Sequence, residues 1–137
     1  MSVPSLQSII DYCDRELDIA GVPDYPQALN GLQLANRSGE VTKIAAAVDA
    51  CLPVVRESVR RGANLLIVHH GMFWNGAQPL RGSLYEKFRI AIEAGLAIYS
   101  VHIPLDIHPR LGNNARLVAE LGLEDPEPFF EWKGIQL

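Results

Sequence analysis

All four histidines of the chain fall in two places, His69 with His70 and, further on, His102 with His108. Each pair follows an apolar run, Leu65-Leu66-Ile67-Val68 in the first case and residues 96–101 in the second. The second loop adds a carboxylate, Asp106. Imidazole nitrogen with carboxylate oxygen is a donor set for zinc and for borderline transition ions. Neighbouring side chains on an extended strand point to opposite faces. His69 and His70 therefore serve one small ion poorly unless the backbone turns, which Gly71 permits. They more naturally serve two ions, one each. Such ions stand about 3.5–4 Å apart and share a bridging carboxylate or water. His69, His70 and Asp106 are the candidate ligands, and two ions need more donors than these three supply. The simpler readings are a solvated histidine after a strand, a turn aspartate at Asp106, and loop material at His108-Pro109. Asp49 is read as a helix cap, with a place behind the ligands left open.

The elements that position these residues follow from apolar periodicity and punctuation. Ser5 caps a predicted helix over residues 6–20, whose Leu6, Ile9, Ile10, Cys13 and Leu17 form one stripe. Gly21, Pro23 and Pro26 end it. Residues 31–34 alternate as a short strand, and residues 43–48 read as a continuous, buried one. Asp49 then opens a helix with Pro53 in its first turn and Gly62 as its stop. Residues 64–68 form the clearest strand. Residues 83–94 form a helix, 96–101 a third buried strand, and 113–121 a last helix before Gly122. The tail from Glu124 carries Phe129, Phe130 and Trp132, which suit a covered interface or packing against the core. Its last residues, 131–137, read as the start of a strand. Strands alternating with helices imply an α/β fold with a mainly parallel or mixed sheet and flanking helices. Ligands collect beyond the carboxyl ends of such strands, where both histidine pairs stand. A single α/β domain over residues 1–137 is expected.

Composition narrows the function classes. Of 137 residues, 48% are hydrophobic and 20% charged, the balance of a folded globular chain. A net charge of −4 argues against an electrostatic grip on nucleic acid. The one basic cluster, Arg56, Arg60 and Arg61, has helical spacing and is diluted by Glu57, as a solvated face would be. Cys13 and Cys51 form no CxxC and read as small buried hydrophobes. No apolar run approaches the ~20 residues of a membrane span, and no signal peptide is evident, so a cytoplasmic location is expected. Gly62, Gly71 and Gly76 form no phosphate-cradling loop.

Three blocks occur in order: Asn30-Gly31-Leu32-Gln33, then Val68-His69-His70-Gly71-Met72-Phe73-Trp74, then His102-Ile103-Pro104-Leu105-Asp106 with Gly112-Asn113-Asn114. In this combination the chain resembles the NIF-three-like family, also called the GTP cyclohydrolase I type 2 or dinuclear metal-centre hexameric family, from the first helix to about Leu123. The resemblance implies that His69, His70 and Asp106 are metal ligands. It implies that His102 lines the site as an acid–base or supporting group, and that two divalent ions (zinc, iron or manganese) are bound. It further implies a toroidal homohexamer and hydrolysis of the guanine ring of GTP or a related nucleotide. Members of that family are usually longer and add an H-x-x-x-E ligand pair from a C-terminal segment. No histidine follows His108. The second metal site is thus incomplete in these residues. Either they are the N-terminal portion of a longer protein or metal is bound more weakly or not at all. Two function classes follow. One is a metal-dependent hydrolase in which His102 shuttles protons. The other is a non-catalytic metal-holding interaction or regulatory protein. A third expectation is that this portion alone is inactive.

Overall fold

The computed structural model describes residues 2–136. Helix α1 spans Leu6–Glu16, and Ser5 caps it by accepting the Ser8 N–H at 3.1 Å. It stops short of residue 20 because Asp18 takes a left-handed backbone and its carboxylate receives the Gly21 N–H, a local turn that competes with the helix. Strands β1 (Gly31–Leu34), β2 (Ile44–Asp49), β3 (Leu65–His70) and β4 (Ala97–Ser100) form one sheet in the order β1-β4-β3-β2. The β2–β3 and β3–β4 pairs are parallel, while β1 runs antiparallel to β4. The sheet is therefore mixed, as expected. Helices α2 (Leu52–Arg60) and α3 (Gly82–Ala94) serve as the crossovers between the parallel strands. The single-turn α4 (Ile103–Asp106), α5 (Asn113–Leu121) and a hairpin of β5 (Glu131–Trp132) and β6 (Ile135–Gln136) follow. Gly95 and Gly122 close α3 and α5 in the left-handed conformation that favours glycine.

Strand alternation divides the core in two. On one face Leu66, Val68 and Ile98 pack with Val55 of α2 and Ala91 of α3. On the other, Leu65, Ala97, Tyr99 and Val101 pack with Leu6, Ile10 and Leu17 around α1. β3 and β4 are buried on both faces, which explains their near-continuous apolar sequence.

Strand β2 corrects the expectation that residues 43–48 form a buried strand. It is the sheet edge, and only one face is covered. Ala45 and Ala47 pack towards the α2–α3 core, while Ile44 and Val48 are 49% and 63% exposed. Asp49 does not cap α2 either. Cys51 occupies the cap position, and the Asp49 carboxylate is turned to His70. The Arg60 and Arg61 guanidiniums both grip Glu57 on an exposed helix face, holding its carboxyl down to about 2. That is the solvated face expected of the basic cluster.

Candidate metal centre

Parallel pairing of β3 with β4 places both histidine loops at one edge of the sheet. The register that sets Val68 beside Ser100 brings His69 to Val101 and His102. His69 and His70 are the last residues of β3 itself, one step earlier than a loop position. Their rings converge all the same, with centroids 4.6 Å apart. His102 lies 4.7 Å from His69 and 5.6 Å from His70, ring to ring. One donor nitrogen from each of the three lies within 4.8 Å of the others, a spacing that can hold a metal ion. Asp106, at the end of α4, places a carboxylate oxygen 3.6 Å from His69 Nε2. Its other oxygen accepts from the Asn113 amide at 2.7 Å. His108 stays outside the group, its Nδ1 accepting the Arg110 and Leu111 N–H groups in a turn.

Each ring of the cluster is held by the same nitrogen. His69 Nδ1 lies 3.0 Å from the Val101 carbonyl, His70 Nδ1 2.7 Å from Asp49, and His102 Nδ1 2.9 Å from Asp24. A carbonyl or carboxylate oxygen only accepts, so the neutral form of each ring carries its proton on Nδ1 and keeps the Nε2 lone pair. Histidines that bind metals are oriented in this way by a carbonyl or carboxylate behind them. Burial holds the pKa of His69 below the ordinary imidazole value; the Asp106 carboxylate and Val101 carbonyl pull it up, and His102 and His70 oppose them. The net effect favours the neutral, ligand-competent ring. Burial also disfavours charge on Asp24, but hydrogen bonds from His102, Asn30, Tyr25 and Ile103 prevail and hold its carboxyl below the usual range.

Two further side chains brace the loops. The Gln33 amide donates to the Ala28 and Leu29 carbonyls and accepts the Met72 N–H at 2.6 Å, pinning the chain just past Gly71. A Cβ at Gly71 would overlap that amide, so the bracing requires glycine there. Asn30 accepts the His102 backbone N–H and donates to Asp24. Trp74 covers the cluster, its ring 4.5 Å from both His70 and His102. Beyond it lies a cavity of about 270 Å³ walled by Phe73, Trp74, Phe88 and Lys87. Burial lowers the Lys87 pKa.

The fold brings together the four residues singled out from the sequence, His69, His70, His102 and Asp106. Sequence reasoning missed Asp24, assigned no task to Asn30 or Gln33, and gave Asp49 a helix cap as its first task. Local pattern could not find Asp24, which sits in an irregular loop 78 positions from His102.

Residues 4–135 match the model of Duf34/NIF3 (NGG1p interacting factor 3). The chain belongs to the Duf34/NIF3 family. A Pyrococcus abyssi protein named GTP cyclohydrolase 1 type 2 homolog is 40% identical over 131 residues, covering 96% of this chain and 51% of that protein. A Deinococcus radiodurans protein of the same name is 41% identical over 126 residues, covering 92% and 47%. The crystal structure of TTHA1606 from Thermus thermophilus superposes with a TM-score of 0.85 at 36% identity, covering 92% of this chain and 51% of that one. The NIF3 chain described here thus spans about half the length of the curated relatives it matches. Among its described residues no helix is long and apolar enough to cross a membrane.

Proposed function

We propose that this NIF3-family chain supplies the histidine-rich part of a divalent-metal centre in a metal-dependent hydrolase of GTP or a related nucleotide. One observation carries the reading. One donor nitrogen from each of three imidazoles lies within 4.8 Å of the others, and each ring has Nδ1 engaged by an acceptor, which leaves Nε2 for a ligand. His69, His70 and Asp106 are the proposed ligands, with His102 as the third imidazole. Four side chains satisfy one ion of zinc, iron or manganese type. Two ions require more, and we assign the remaining donors to the half of the family length that these residues do not cover. The assembly proposed is a homohexamer in the cytoplasm. A bound divalent ion supplies Lewis acidity and a lowered pKa for a coordinated water. The chain's residues do the rest. His69 and His70 orient the site, Trp74 excludes water from one side, and the aromatic cavity beyond it offers room for a planar base. The name shared by the relatives, GTP cyclohydrolase 1 type 2 homolog, supports the substrate class.

A second role for His102 is favoured by Asp24. A carboxylate hydrogen-bonded to Nδ1 fixes the tautomer and orientation of the ring and aims Nε2 at the site, which suits a general acid–base residue. His102→Ala separates the roles, because a ligand loses metal affinity and a proton shuttle loses only turnover. The function itself is tested by elemental analysis of the purified protein, with and without His69→Ala. Incubation of the metal-loaded protein with GTP then follows guanine absorbance and formate release. Bound metal lost on His69→Ala, with formate release, is the expected result. Metal without turnover across nucleotides leaves a metal-holding regulatory protein, and no bound metal overturns the reading.

A further inference from the structure

His102 is gripped from behind by a loop remote in sequence. The Asp24 carboxylate receives four donors. Oδ1 accepts the Tyr25 N–H at 2.7 Å and His102 Nδ1 at 2.9 Å; Oδ2 accepts the Asn30 amide and the Ile103 N–H, both at 2.8 Å. Asn30 closes the ring by accepting the His102 backbone N–H at 2.8 Å. The Asp24 side chain is only 7% exposed. Side chain and backbone of His102 are thus fixed together, from positions 72 and 78 residues away. We infer that Asp24, braced by Asn30, is a positioning residue that presents the Nε2 lone pair of His102 to a metal ion in the His69–His70–His102 cluster. The inference rests on reading that cluster as a metal site and identifies what makes its third imidazole competent.

Asp24→Asn tests it without removing volume. The new amide has one acceptor and one donor end for four incoming donors. With its nitrogen towards Asn30 and Ile103, two donors face a donor and two hydrogen bonds are lost. With its nitrogen towards His102, only the Tyr25 N–H is lost, provided that the imidazole moves its proton to Nε2 and accepts at Nδ1. The second arrangement leaves fewer orphaned groups. It also blocks the lone pair that a metal needs.

The experiment measures zinc affinity of the purified chain by competition with a chromophoric chelator, and the His102 tautomer by nitrogen-15 imidazole NMR without metal. Asp24→Asn is expected to move the His102 proton to Nε2 and to weaken zinc binding about 10–100-fold. Combined with His102→Ala, it is expected to add no further loss, since both changes act through one ring. Asn30→Ala, which keeps the carboxylate but removes its brace, is expected to give a loss of about threefold to tenfold and stands in should Asp24→Asn fail to fold. Wild-type chain that binds no zinc sinks the metal-site reading itself. Wild-type chain that binds zinc, with Asp24→Asn or the stand-in Asn30→Ala binding equally well, overturns the positioning role. So does a full additional loss in the double variant.

Discussion

Two aspartates stand behind two histidines of the same cluster at almost the same distance, Asp24 behind His102 at 2.9 Å and Asp49 behind His70 at 2.7 Å. Their surroundings differ sharply. Asp24 is 7% exposed and takes three other donors, whereas Asp49 is 58% exposed and has no second donor among the described residues. A hydrogen bond's length therefore says little about its weight. An exposed pair exchanges one aqueous partner for another and contributes little, while a buried, saturated carboxylate leaves every donor stranded if it is lost. His70 has a different support, the face of Trp74 at 4.5 Å. One arm of the site is held by a polar lock and the other by stacking.

The comparison breaks most visibly on truncation. Asp24→Ala strands the Tyr25 and Ile103 N–H groups, the Asn30 amide and His102 Nδ1. It is expected to cost roughly 3 kcal/mol or more, since each buried unsatisfied group costs about 1–3 kcal/mol and entering water offsets part of the sum. Asp49→Ala is expected to cost under about 1 kcal/mol. Urea unfolding of both variants measures the difference, and equal losses would show that burial does not separate the two arms.

The polar lock extends to the other loop through Gln33, which makes Gly71→Ala the next largest effect. Gln33 is tied at both ends, to the Ala28 and Leu29 carbonyls and to the Met72 N–H, so it cannot swing away from a new methyl group. A cost of about 1–3 kcal/mol is expected, as for other overpacked sites. Gln33→Ala in the same background removes the overlap, so the two losses are expected to be less than additive in a thermal unfolding cycle. Simple additivity would mean that glycine serves the backbone there and not the bracing amide.

Acid sharpens the contrast further. His69 has a folded pKa below its ordinary value of 6.5 because of burial, so the unfolded chain binds its proton first. Its contribution to stability is complete above that value and declines as pH falls through the window below it. Asp24 also has a lowered folded pKa, net of burial, through its four hydrogen bonds. Its contribution is present above the ordinary value of 3.8 and is lost as pH falls through the folded pKa. Stability is therefore expected to fall in two acid steps, and Asp24→Asn removes only the lower one. A denaturation series between about pH 7 and 3 checks this; loss of the upper step in that variant would contradict the assignment.

Much of this arrangement is legible in the sequence because it is local. The apolar runs before His69 and before His102 mark β3 and β4 as doubly covered strands, and their carboxyl ends place the histidines and Asp106 together. What is not legible is set by partners distant along the chain. The run Ile44–Val48 looks as buried as the other two, and only the sheet order makes β2 an edge with Ile44 and Val48 exposed. Asp24 lies in an irregular loop between prolines with no periodic signal. Its task appears only once β4 delivers His102 to it. The opposite pointing of His69 and His70 expected from strand alternation also yields to context, because β3 ends at His70 and the two rings converge.

The smallest effect is the most pointed. Asp49→Asn is expected to change zinc affinity by less than about threefold and stability by less than about 0.5 kcal/mol. Exposure lets the new amide rotate its oxygen to His70 Nδ1 and leave its nitrogen in water, so the tautomer need not move. Asp49 also sits at the last paired position of β2, opposite His70, so the backbone that carries it stays in place. Trp74 continues to hold the ring. The same chelator competition used for Asp24→Asn measures this variant. A loss as large as that of Asp24→Asn would show that His70 depends on its carboxylate as His102 does. Adding Trp74→Ala to Asp49→Asn then reveals the stacking support, with an expected loss larger than the sum of the single changes.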